Sequence, residues 1–256
     1  MAARLGARAV IVGKVGDDEH GRAYTENLRQ QSVDLTHLGV EKGISTGIAT
    51  IFVESSSGEN MIVIVGGANT RLTGEDVRKA EKEISESSVV VTTLELGLQA
   101  VKVAMETGRS HGVRTILNAA PGRADLDQEI LSNVDILVVN ETEAELLTGC
   151  PDLQKCGEML RRKCGTVIIT LGKDGALLWE REKPVVKVDC PRVEAEKVVD
   201  TTGAGDAFVG SLAYFLSCRL EMAESVRRSC CVASLTVQSQ GTQASYPAGP
   251  DLPDLV

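Results

Sequence analysis

The chain has little that would suit it to nucleic acid or to a membrane. Its formal net charge is −9 over 256 residues, aromatic residues make up only 3% of it, and no basic stripe alternates with them. The electrostatic footprint of a DNA- or RNA-binding protein is therefore missing, and neither partner is expected. No apolar run approaches the roughly 20 residues that a membrane-spanning helix needs; the strongest runs are short, such as Met61 to Val65. The histidines do not stand at metal-ligand spacing, and the cysteines at 150, 156, 164, 190, 218, 230 and 231 include no CxxC pair. Such a scattered, odd-numbered set reads as reduced thiols rather than a disulfide framework or a zinc site. Internal repeats, low-complexity tracts and linkers are also lacking. Any phosphate that so acidic a chain binds must be held locally, by backbone N–H groups, a few cations or a metal ion.

What is present is a 43% hydrophobic chain, long enough to bury a substantial core as one α/β domain, the preferred reading, or as two small ones. Arg4 and Arg8 precede the first acidic residue, Asp17, as in a transit peptide. Ala9 to Val12 reads better there as a buried strand, and the chain is expected in the cytoplasm, with the nucleus as a second compartment. Short apolar runs alternate with longer amphipathic ones, the rhythm of βαβ units on a mostly parallel sheet flanked by helices. Strands are expected at Val89 to Thr93, Arg114 to Asn118, Asp135 to Val139 and Thr166 to Thr170. Thr73 to Asp76 resembles a capping box, with Val77, Ala80 and Ile84 following at helical spacing. Further helices fit Leu98 to Ser110, Glu141 to Leu147, Asp152 to Lys163, Ala204 to Ser217 and Met222 to Gln238. One region breaks the rhythm. Thr46 to Glu54, Ser55 to Glu59 and Asn60 to Val65 read as two strands and a Gly/Ser turn, either an edge extension of the sheet or a lid over a site.

The strongest chemical signal is Asp200-Thr201-Thr202-Gly203-Ala204-Gly205-Asp206, which runs directly into a helix. Glycines at a helix start let backbone N–H groups approach an anion, and the helix dipole adds to the attraction. A buried carboxylate at Asp206 could accept a hydroxyl proton. The bland reading is an ordinary cap with a flexible lead-in. Asn140-Glu141-Thr142-Glu143 follows a strand, where open α/β sheets place ligands, but alone it also reads as an exposed helix start. Likewise Thr170 to Gly175 could be no more than a hairpin turn.

Taken together these strings resemble the ribokinase family of carbohydrate kinases. Asp200 to Asp206 is similar to the family's C-terminal signature, Asn140 to Glu143 to its Asn-x-x-Glu motif, and Thr170-Leu171-Gly172-Lys173-Asp174-Gly175 to its nucleotide-binding turn. Asn118 to Gly122 resembles an Asn-Pro-Ala-Pro stretch, with Ala119 in place of proline, and Ser45 to Gly47 with Gly66 to Asn69 resembles the lid region. The resemblance implies Asp206 as catalytic base and sugar contact, Gly203, Ala204 and Gly205 as anion hole, and Asn140 and Glu143 as organisers of Mg²⁺ and phosphate through water. It implies Glu95 as a second sugar contact and Cys230 beside the adenine, where relatives carry histidine or asparagine. Asp200, Thr202, Thr236, Ser239, Gly241 and Ser245 would hold an activating K⁺.

The implied activity is transfer of phosphate from ATP to the 5-hydroxyl of D-ribose, in a homodimer whose lids pair. The alternatives are a kinase of the same fold for another sugar or a nucleoside, and a nucleotide-binding fragment without catalysis. The resemblance begins at Ala2 to Ala7, so the family's opening strands and Gly-Gly-Lys-Gly-Ala-Asn motif, about a fifth of its length, have no counterpart. On that basis the 256-residue chain is expected to be a truncated form that phosphorylates ribose poorly by itself.

Overall fold

The computed structural model describes residues 1–53, 60–249 and 252. They fall into two compact units, Met1–Arg71 with Cys190–Val256, and Leu72–Asp189.

The Leu72–Asp189 unit is built on a six-stranded sheet. Its strands are β5 (Val89–Thr93), β6 (Arg114–Asn118), β7 (Ile136–Asn140), β8 (Thr166–Thr170), β9 (Ala176–Trp179) and β10 (Val186–Val188), in the order β10-β9-β8-β7-β6-β5. Neighbours from β5 to β8 are parallel, while β9 and β10 are antiparallel additions at one edge. Ile116, Leu117, Ile136, Leu137, Val167, Ile168 and Ile169 are all almost completely buried. This is why the strands read as continuous apolar runs: a parallel strand covered on both faces has no polar side to alternate with.

Helices α4 (Leu98–Ser110), α6 (Glu141–Thr148), α7 (Leu153–Arg161) and the short α5 (Gln128–Ser132) connect the strands. The helical spacing over Val77, Ala80 and Ile84 resolves into two short helices, α2 (Gly74–Lys79) and α3 (Glu81–Ser85), which meet at Ala80. The Thr73 capping box is present, with Asp76 Oδ2 accepting from the Thr73 amide in return. The chain's one tryptophan, Trp179, is 1% exposed. Gly157 on α7 sits against its indole, where a Cβ would stand 2.2 Å from the ring.

The other unit begins with a βαβ element. It comprises β1 (Val10–Gly16), α1 (Glu19–Gln30) and β2 (Asp34–Glu41), with β1 and β2 parallel. The strand expected at Ala9 to Val12 is present but begins at Val10 and runs on to Gly16; it is not buried there as expected, since residues 9–12 are only half-buried. Next comes the expected hairpin, β3 (Ile48–Val53) antiparallel to β4 (Asn60–Val65); the Gly/Ser turn expected at Ser55 to Glu59 lies outside the described residues. Ile48 pairs with Val65, Thr50 with Val63 and Phe52 with Met61. Ile48, Phe52, Met61, Val63 and Val65 therefore share one face, and all are exposed. Two long helices complete the unit, α8 (Ala204–Ser217) and α9 (Met222–Thr236), packed side by side. Leu5, Ala207, Phe215, Val232, Tyr246 and Leu252 form a shared core. Among the described residues no helix is long and apolar enough to cross a membrane.

Candidate active site

The residues singled out by sequence gather into two clusters, one in each unit.

In the first unit, Asp200 is 4% exposed and fully engaged. Its Oδ1 accepts from the Thr202 amide at 2.9 Å and its Oδ2 from the Gly241 amide at 2.9 Å. The Val199 and Asp200 amides both donate to the Val237 carbonyl, which ties this segment to the end of α9. Burial opposes ionisation of Asp200, but Thr202 and the Gly241 amide outweigh it and hold the carboxyl below its ordinary value. The Thr202 hydroxyl stands near enough to favour that charge, yet its buried Oγ1 has no partner at hydrogen-bond geometry. The Thr236 hydroxyl donates to Val232 and the Ser245 hydroxyl to Thr242, leaving the oxygen lone pairs of both free for another donor or a cation.

Gly203 then turns the chain into α8. It takes φ +78°, which favours glycine, and a Cβ there would crowd Thr242 Cα at 3.2 Å. No side chain caps α8. Its first-turn amides, which helix geometry leaves without intrahelical acceptors, thus have no protein side chain competing for them. A Cβ built on Gly205 meets nothing within 4 Å, so the protein leaves open space beside this turn. Asp206 belongs to this first turn and, contrary to the expectation of a buried carboxylate, is exposed. The protein around it nonetheless pushes its pKa above the ordinary value by desolvation, against the pull of the Met1 amine.

In the second unit, Asn140 and Glu143 form a complete capping box. Asn140 Oδ1 accepts from the Glu143 amide and Glu143 Oε2 from the Asn140 amide, both at 2.8 Å. Glu143 is buried, and desolvation raises its pKa against that hydrogen bond. Asn140 pairs in register with Thr170 on β8, which brings the box beside the turn Thr170 to Gly175. That turn is a β8–β9 hairpin closed by the Leu171 amide on the Gly175 carbonyl at 2.8 Å. Gly172 and Gly175 both take positive φ, and Gly172, Lys173 and Asp174 are exposed. Glu95, exposed beyond β5, and Asn118 to Gly122, which start at the last residue of β6, stand at the same ends of their strands as Asn140 does on β7. The Leu94 amide donates to the Ala120 carbonyl, and Gly122 packs on Glu143.

Sequence reasoning passed over a third feature. Asp18 caps α1 through the Gly21 amide at 2.8 Å, and it also grips the base of the β3–β4 hairpin through the Thr46 amide at 2.8 Å and the Thr46 hydroxyl at 2.5 Å. The Thr46 hydroxyl in turn accepts from the Gly16 amide. The Thr46 hydroxyl first, then the Thr46 and Gly21 amides, lower the Asp18 pKa to about 2. A Cβ on Gly16 would stand 2.3 Å from the Ile44 carbonyl, and one on Gly21 would stand 2.2 Å from the Gly16 carbonyl. The legible signal was an N-cap aspartate bracketed by two glycines, Gly16-Asp17-Asp18-Glu19-His20-Gly21.

These features are an uncapped, glycine-led helix start carrying Asp206 and a self-capped helix start beside a glycine turn. Residues 1–249 match the sequence profile of the pfkB family carbohydrate kinases, and the chain belongs to that family. It is 44% identical to mouse ribokinase, in an alignment that covers 99% of this chain and 80% of the mouse protein. It is 35% identical to the deoxyribokinase of Salmonella typhimurium over 96% of this chain and 81% of that protein. Its fold is similar to that of Arabidopsis thaliana ribokinase complexed with ribose and ATP, with a TM-score of 0.88 at 27% identity, covering 99% of this chain and 83% of that one.

Proposed function

We propose that the protein transfers the γ-phosphate of ATP to the 5-hydroxyl of D-ribose, with Asp206 as the base. The observation that carries this reading is the 44% identity to mouse ribokinase along 99% of the chain, with the family's signature intact at Asp200 to Asp206. Ionised Asp206 accepts the proton of the sugar hydroxyl as its oxygen attacks phosphorus, and Asp206 and Glu95 orient the sugar. The amides of Gly203, Ala204 and Gly205, with the dipole of α8, stabilise charge on the transferring group. Little covalent chemistry is then asked of the protein, because phosphoryl transfer depends mainly on positioning and charge stabilisation. Thr170 to Gly175 and Cys230 receive the nucleotide.

Two cations belong to the reading. Mg²⁺ neutralises phosphate charge; Asn140 and Glu143 would hold it through water, which suits an ion that keeps much of its hydration shell and is usually bound through substrate phosphates. K⁺ would lie beside Asp200, Thr202, Thr236, Ser239, Gly241 and Ser245. The buried, unpartnered Thr202 Oγ1 fits that role, since a hard cation supplies what an orphaned oxygen lacks. Pairing of the β3–β4 hairpin with a second copy is part of the proposal and is supported by its exposed apolar face. The chain is read as one kinase domain with residues 44–69 as its lid, working in the cytoplasm.

The Salmonella deoxyribokinase relative favours 2-deoxyribose as a second reading. The test is ADP release with ribose, 2-deoxyribose and adenosine, run in K⁺ and in tetramethylammonium at constant ionic strength. Ribose is expected to give the highest kcat/KM, and K⁺ the faster rate. A higher kcat/KM for another acceptor would overturn the substrate, ATP binding without ADP release would overturn the kinase, and equal rates in the two salts would overturn the cation site.

A further inference from the structure

The seven cysteines are all unpaired, but they are not equivalent. Cys218 is exposed, and Cys164 is buried with its thiol on the Leu160 carbonyl. Cys190 differs: its thiol donates to the main-chain carbonyl of Cys230, 40 residues later, at 3.6 Å. Cys230 is 4% exposed on α9, whereas Cys190 is only half-buried. A third thiol, Cys231, follows at once and lies 4.0 Å from an Arg227 guanidinium nitrogen.

We propose that Cys190 and Cys230 are a thiol–disulfide modification site, oxidised by a low-molecular-weight disulfide, and that the cross-link closes the Cys230 position to nucleotide. The second half rests on the reading that places Cys230 beside adenine. Cys190 supplies the accessible sulfur. Its thiolate attacks the small disulfide RSSR, forms a Cys190–S–SR bond and expels RS⁻, which takes up a proton as RSH. Cys230 then gives up its proton, its sulfur attacks the Cys190 sulfur, and a second RSH leaves. Two protein thiols lose two electrons and two protons, and one RSSR becomes two RSH.

The order of the steps follows from the surroundings. A hydrogen bond from Cys230 draws the Cys190 thiol down against its burial, so Cys190 ionises first. Cys190 and burial push the Cys230 thiol up, so the second step is the slow one until Cys190 is capped and its charge is gone. Cys231 is one residue on, and a helix turns each successive side chain by about 100°; its sulfur adjoins the Arg227 guanidinium and feels Cys190 only through space. Fixing the Cys230 sulfur to Cys190 removes the free side chain that would meet the base and ties α9 to the segment after β10.

The test incubates the full chain with glutathione disulfide or with glutathione, maps the cysteine peptides by mass, and measures ATP affinity by calorimetry. A peptide pair joining 190 to 230, lighter by two hydrogens, is expected, together with a loss of ATP affinity of about tenfold or more that dithiothreitol reverses. Cys190→Ser should bind ATP equally in both conditions. A link from Cys190 to Cys231, or glutathione retained on Cys190 with Cys230 free, would overturn the pairing. A 190–230 link with unchanged ATP affinity would overturn the closure. A reduced chain with no ATP affinity would refute the nucleotide assignment and the closure with it, while the peptide map would still decide the pairing.

Discussion

The two helix starts on which the proposed function rests are built in opposite ways. At α6, Asn140 and Glu143 satisfy each other's amides, so the turn is complete without a ligand. At α8, Gly203 enters from the left-handed region, no side chain caps the helix and the space beside Gly205 is open. Capping by a side chain contributes about 1 kcal/mol to a helix. The chain takes that gain at α6 and forgoes it at α8, where the Ala204 amide donates to the Thr201 carbonyl at 3.3 Å and no side chain caps the turn.

The largest effect expected from breaking this contrast is at Asp206. Asp206→Asn should lower turnover by about 10² to 10⁴-fold while sparing ATP affinity, read by single-turnover rates beside calorimetry; a variant keeping more than half of wild-type turnover would remove Asp206 as the base. The same variant carries a pH signature. Because the folded-state pKa is raised, the charged form costs stability, and that cost is absent below the ordinary aspartate pKa and present once pH exceeds the folded value. Thermal melts of Asp206→Asn should therefore match wild type in acid and exceed it at neutral pH, and the acid limb of kcat/KM should lie above the ordinary carboxylate range.

A smaller effect is expected from Gly205→Ala. Its Cβ meets no protein atom, so melting should barely change while the methyl group fills the space beside the turn. Turnover should fall by about 10²-fold, the scale of losing one transition-state donor. Wild-type turnover would show that the open space is not the anion's.

Smallest is Asn140→Ala, which removes the cap at α6. A loss of about 1 kcal/mol in denaturant unfolding is expected, with a change in activity far below that at Asp206. A collapse of turnover with no loss of stability would reverse the contrast and make Asn140 a ligand-binding group first and a cap second.

Much of this arrangement was legible from the residues. β6 to β8 were readable because burial on both faces writes an unbroken apolar run, β5 because its run of three valines is β-branched, and the α6 and α2 starts because capping boxes are local. α1 was not, since only Gly21 and Leu28 of its twelve residues are buried and no apolar stripe marks it. β9 and β10 span four and three residues, too few for a period to show. The break at Ala80 was hidden because the apolar positions continue through it. Of the site, the signature at Asp200 to Asp206 could be read as an anion-binding start, whereas the grip of Asp18 on Thr46 joins positions 28 residues apart, a link that spacing does not encode. The exposure of Asp206 was likewise invisible, because it depends on what packs around the turn.

The packing of Trp179 on Gly157 gives the protein an optical label with a single address. One indole, shielded from water inside the Leu72–Asp189 unit, means that intrinsic tryptophan emission follows the melting of that unit and is blind to the one that holds Asp206. A fluorescence titration therefore reads only half of the molecule, and comparing it with far-ultraviolet circular dichroism, which sees every helix, separates the unfolding of the two halves without any engineered probe.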